Sequence, residues 1–126
     1  MDFCEYLKED LKDCRKKQNL TLTKAAQMMG ISSSYLSSLE GGTRPAPAFE
    51  MLNKMADVLN LNKKERYRLY DLAAESKQPP ALADDLNAYI YQNITIRDIL
   101  RYSMECNILE DELETIFSFI KKNYHY

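Results

Sequence analysis

The chain is poor in the residues that build metal centres and crosslinks. It holds three cysteines (Cys4, Cys14, Cys106) at wide spacing, with no Cys-x-x-Cys pair, and one histidine, the penultimate His125. Neither a zinc site nor a disulfide framework is expected from that set. Cys14 keeps helical spacing from Leu11 and Leu7, which predicts a small core residue rather than a nucleophile. Glycine is scarce as well, and the adjacent Gly41 and Gly42 do not fit a nucleotide-binding fingerprint. No pair of residues is placed for general acid–base work, so the sequence gives no enzymatic reading and implies no cofactor and no metal. No apolar run approaches the ~20 residues that span a bilayer. The opening Met-Asp-Phe-Cys-Glu-Tyr lacks the basic start and apolar stretch of a signal peptide. A cytoplasmic protein without a membrane partner is the expectation. Internal repeats and low-complexity tracts are absent too.

What is present is a chain of 126 residues with 45% hydrophobic content. That suits one small domain, or a compact domain with an accessory segment. Leu, Met, Ala, Lys and Glu are frequent while alternating or β-branched runs are few, so the fold class is all-α. The net charge of −2 conceals an asymmetry. Residues 1–77 carry thirteen Lys and Arg against eleven acids, whereas residues 78–126 carry four against eight. The N-terminal part is therefore the better polyanion binder.

Apolar periodicity places the helices. Phe3, Leu7, Leu11 and Cys14 form one stripe, predicting a helix over 2–17 that ends at a left-handed Asn19. Thr21 is a candidate N-cap for a second helix with Ala25, Ala26 and Met29 inward. Gly30 supplies the turn. Ser32 then caps a third helix with Leu36 and Leu39 inward. After a loop at 41–47, Pro47 is expected at the first position of a fourth helix. That helix carries Leu52, Met55, Ala56 and Leu59, with Met51 and Met55 read as core filler. Asn62 and Glu65 predict a capping box for a fifth helix, with Leu69, Leu72 and Ala73 inward. Pro79-Pro80 marks a boundary and an extended spacer, giving an N-terminal domain 1–77 and a segment 78–126. Three shorter helices are expected beyond it, over 83–92, 96–106 and 110–122, with Thr95 and Asp98 as a capping pair for the middle one. Tyr124, His125 and Tyr126 read as a frayed end.

Two short helices around a tight glycine turn, the second of them polar, are the layout of a helix-turn-helix. From about Leu11 to Leu61 the chain resembles the lambda-repressor-like family, the Cro/repressor or XRE type. The matching residues are Arg15, Ala26-x-x-x-Gly30-Ile31-Ser32, Tyr35-Leu36-Ser37, Leu39-Glu40-x-Gly42-x-Arg44-x-Pro and the run from Pro47 to Leu59. The resemblance implies a five-helix lambda-repressor-like DNA-binding domain, usually dimeric, in a transcription regulator; here a short helical C-terminal segment follows it. Carried over by position, Ser32, Ser33, Ser34, Ser37 and Ser38 lie on the helix that faces base edges. Tyr35, Thr43 and Arg44 fall where backbone contacts are common, as do Thr21, Thr23 and Lys24 at the start of helix two. The chain departs from the family at Leu22, where Gln is frequent, and at Lys24, where Glu usually completes the cap. Between Ser32 and Glu40 there is no Lys, Arg, Asn or Gln, the side chains best suited to reading bases.

The C-terminal segment is acidic, a poor phosphate surface, yet rich in apolar residues. Tyr89, Tyr91, Leu109, Leu113, Ile116, Phe117 and Ile120 are expected to divide between core packing and a homodimer contact. Such a dimer would set two recognition helices ~34 Å apart on a palindromic operator. Repression is the expected action on double-stranded DNA, with phage or mobile-element control by analogy. The alternative is a protein-interaction module, such as an antitoxin or a phage-encoded inhibitor, using the same helices on a protein. No residue pattern specifies an effector.

Overall fold

A computed structural model describes residues 2–125 of the chain. Among them all the regular structure is helical. The first helix, α1, covers residues 3–17. Phe3–Tyr6 runs into a π-helical turn at Leu7–Leu11 and continues through Lys12–Lys17. Asp2 and Glu5 close a capping box at its start, each carboxylate accepting the other's backbone N–H at 3.0 and 2.9 Å. The expected apolar stripe is present, with Phe3, Leu7 and Leu11 buried and Cys14 half-buried. Its four-residue spacing explains the π turn. Residues four apart overshoot one α-helical turn and fall short of one π turn, so a single wide turn keeps the stripe on one face. Tyr6 joins the buried set, and burial, with Asp10, Cys14 and Glu65 adding, pushes its phenol up to about 12. The protonated hydroxyl donates to the Glu65 carbonyl at 3.3 Å.

Four more helices build most of the N-terminal unit: α2 (Leu22–Met29), α3 (Ser33–Glu40), α4 (Phe49–Val58) and α5 (Lys63–Glu75). Asn19 and Gly30 adopt left-handed conformations as expected, and Asn60 does the same after α4, unanticipated from sequence. The Asn62–Glu65 capping box is formed. Leu7, Met29, Leu39, Met55 and Leu69 are sealed at the centre, one from each helix. Pro47 does not open α4. Ala48 is the N-cap residue, in an extended conformation, and the helix begins at Phe49. The shift lets Phe49 pack against Tyr70 with ring centroids 4.7 Å apart.

The stretch after α5 is not an extended spacer. Ala81 N–H donates back to the Ala74 carbonyl at 3.1 Å, and Ala83 is buried with the core. One compact unit accordingly reaches Asn87, and a second begins at Ala88. The helices here are α6 (Asp84–Gln92), α7 (Ile94–Cys106) and α8 (Glu110–Asn123). Thr95 and Asp98 do not cap α7, which starts two residues earlier than expected. Asn93 stands at its N-cap position and spends its side chain on the Tyr89 carbonyl of α6, 2.8 Å away. Asn107 is left-handed and ends α7. The structure places no described residue of this second unit in a buried position. Tyr124 and His125 lie past the end of α8 and are exposed, while Tyr126 and Met1 fall outside the described residues.

Candidate nucleic-acid interface

The α2–α3 pair is built from local chemistry. Thr21 accepts the Lys24 N–H at 3.1 Å and Ser32 accepts the Tyr35 N–H at 3.0 Å, so each helix starts on a hydroxyl cap. Without a carboxylate at position 24 the first cap is one-sided. Between the helices, Gly30 at φ 75° lets Ile31 N–H reach back to the Ala26 carbonyl at 3.0 Å. Ala25, Ala26, Met29, Leu36 and Leu39 point into the core and fix the angle of the pair.

The opposite face of α3 is small and neutral. Ser34 and Ser37 are exposed, and Ser33, Ser38 and Tyr35 are half-buried at its margins. Ser32 sits at its start, exposed, with its hydroxyl oxygen committed to the cap. Thr21, Thr23 and Lys24 are exposed or at the exposed start of α2, and Thr43 and Arg44 are exposed beyond α3. Thr43 donates both N–H and hydroxyl to the Ser38 carbonyl, at 3.0 and 3.1 Å, which folds the loop back onto the helix end. None of the expected contact residues is buried, and all of them lie on or beside α2 and α3.

Residues 11–65 match the family model described as Helix-turn-helix, HTH_3. Over this segment the chain is similar to XRE-type helix-turn-helix domains. Over 52 residues the chain is also 38% identical to the "ImmF control region 10 kDa protein" of Bacillus phage phi105. That alignment covers 41% of this chain and 57% of the phage protein, so the chain spans rather more than half of its relative. No solved structure matches the chain.

Two cations of the helix-turn-helix domain's surroundings escaped the sequence reading. A Cβ at Gly30 would stand 3.4 Å from Lys54 Nζ, and one at Gly42 would stand 3.0 Å from Lys8 Cε. Lys54 therefore borders the turn before α3, and Lys8 borders the loop after it. Both are exposed. With Lys24 on α2 and Arg44 beyond α3, four exposed cations lie on segments adjoining α3, which carries none of its own. No ion pair among the described residues engages any of the four. Only their helical phase was visible in sequence, Lys54 lying opposite the apolar stripe of α4 and Lys8 at the flank of the stripe of α1.

Arg15 plays a different part. Its guanidinium holds the Glu40 carboxylate in a fork, with Nε and Nη2 each 3.0 Å from an oxygen, and donates to the Leu20 carbonyl at 3.0 Å. The two side chains are only 11% and 9% exposed. The last residue of α3 is thus tied to α1 and to the α1–α2 loop. Cys14 nearby is no nucleophile site: burial and then Glu65 raise its thiol, against the direction a reactive thiolate needs.

Proposed function

We propose that the chain is a transcriptional regulator, a repressor in its action, that binds a palindromic DNA operator as a dimer in the cytoplasm. The observation that carries this reading is the small, neutral α3 face together with exposed cations on the adjoining segments, Lys54 beside the turn before it, Lys8 beside the loop after it, Lys24 on α2 and Arg44 beyond α3. Small serines allow a helix to sit deep in a major groove, while flanking cations grip the phosphates on either side. In this arrangement Ser33, Ser34, Ser37 and Ser38 meet base edges, and ordered water completes their contacts. Thr21, Thr23, Lys24, Tyr35, Thr43 and Arg44 hold the phosphate backbone, and Ser32 presents the first turn of α3, whose backbone N–H groups favour an anion. Residues 1–77 supply the reading head. The segment from 78 onward joins two copies, a role supported by the exposure of Tyr89, Tyr91, Leu109, Leu113, Ile116, Phe117 and Ile120. Similarity to a phage control-region protein supports a place in phage or mobile-element control.

The absence of any cation between Ser32 and Glu40 favours a second use of the same helices, docking on a protein as an antitoxin or inhibitor does. Titrating duplex DNA at several salt concentrations separates the two. A DNA reader loses affinity steeply with salt, and Arg44→Ala weakens binding to every sequence alike while lowering the log–log salt slope by about one. Weak binding that is equal for all sequences and unmoved by Arg44→Ala overturns the operator reading.

A further inference from the structure

The α8 helix carries a stripe of apolar residues that its own unit leaves about half exposed. Leu113, Ile116, Phe117 and Ile120 recur at i, i+3, i+4 and i+7, and they are 44%, 48%, 59% and 48% exposed. Its charges are sorted along its length. Glu110, Asp111, Glu112 and Glu114 crowd the first turns, and Lys121 and Lys122 stand in the last. Glu110, Glu114 and Lys121 share one edge of the stripe, at i, i+4 and i+11, and Lys121 Nζ lies 4.4 Å from the Phe117 ring centroid.

We infer that two copies of this chain pair through α8 in antiparallel, about a two-fold axis passing between Ile116 and Phe117. The inference rests on the dimer proposed above and gives it a surface, a direction and a register. Parallel pairing sets the acidic start of one helix against the acidic start of the other. Antiparallel pairing sets each acidic start against a basic end, and it opposes the two helix dipoles. About that axis Leu113 of one copy faces Ile120 of the other, and Ile116 faces Phe117. A two-fold axis also brings like edges together. Lys121 of each copy therefore comes level with Glu110 and Glu114 of its mate. The same run of acids makes α8 unsuited to nucleic acid or an anionic membrane surface.

Sedimentation of the full chain at low salt tests the pairing. The wild type is expected to dimerise. Lys121→Glu places a third acid between Glu110 and Glu114, and Glu110→Lys with Glu114→Lys places three lysines together. Each of these variants is expected to weaken the dimer by roughly tenfold or more. The triple variant, Glu110→Lys, Glu114→Lys and Lys121→Glu, restores opposite charges at every contact and regains the dimer. It also has the least favourable dipole alignment of the set, so recovery cannot come from helix stability. A monomeric wild type, a Lys121→Glu variant that dimerises normally, or a triple variant that stays monomeric overturns the proposal. Salt-dependent DNA binding by a monomeric chain would leave the DNA reading standing and sink only the pairing.

Discussion

Arg15 and Glu40 bind the contact helix to its scaffold. Their charges are largely withdrawn from water, so each depends on the other and on the Leu20 carbonyl. Glu40→Gln leaves the guanidinium with a weaker acceptor in a dry place. The expected loss, read by urea unfolding, is about 3 kcal/mol. The Arg66–Asp57 pair is a built-in comparison at similar length, 2.9 Å, but Asp57 is 71% exposed. Asp57→Asn should change stability by less than about 1 kcal/mol. Equal losses in the two variants would mean that the Arg15 fork is no more than a surface contact.

The elements of the helix-turn-helix domain end on residues chosen for backbone geometry. Gly42 has φ 75°, and a methyl group there would meet Lys8 Cε at 3.0 Å and Cys4 Cβ at 3.2 Å. Lys8 can swing aside, whereas Cys4 is fixed in α1. Gly30 has the same φ but only the far end of Lys54 nearby, at 3.4 Å. Each Gly→Ala change incurs the left-handed strain of about 1–2 kcal/mol. Gly42→Ala should lose more than Gly30→Ala in thermal unfolding, because it adds the Cys4 contact. Much of this architecture was legible beforehand. Thr21, Ser32 and Asn62 announce their helices because a hydroxyl or amide cap is a local interaction, and Asn19 and Gly30 announce their turns likewise. Pro47 and Thr95 misled because tertiary and neighbouring contacts outweigh propensity there: Phe49 packs at a tilt against Tyr70, and Asn93 is drawn to the Tyr89 carbonyl. Within the candidate interface, the surface placement of the positions on α2 and α3 followed from helical phase. Lys8 and Lys54 did not, since their closeness to Gly42 and Gly30 exists only once α1 and α4 have packed.

Over the whole molecule, the buried side chains among the described residues lie between Phe3 and Ala83. Asp71, exposed on α5, has its carboxyl raised from the ordinary value, by partial desolvation first and then by Asp85 and Glu75. A carboxyl whose folded pKa exceeds its unfolded one binds its proton more tightly in the folded chain. Stability from this group is therefore fullest below the unfolded value and declines as pH rises through the folded one. Asp71→Asn should raise the melting temperature at about pH 7, and the gain should vanish on acidification to below about pH 4. A gain that persists in acid would assign the effect to packing instead of charge.

The open second unit has a consequence for the lifetime of the protein. Tyr102, Met104 and Phe119 stand more than half exposed, and the α8 stripe about half exposed, on helices that enclose nothing of their own. Such segments open readily and are cut by proteases in proportion to the time they spend unpaired. In the α8 pairing proposed above, abundance would protect the chain and scarcity would expose it. Falling concentration would then speed its own fall, so the regulation proposed above would switch off abruptly instead of fading.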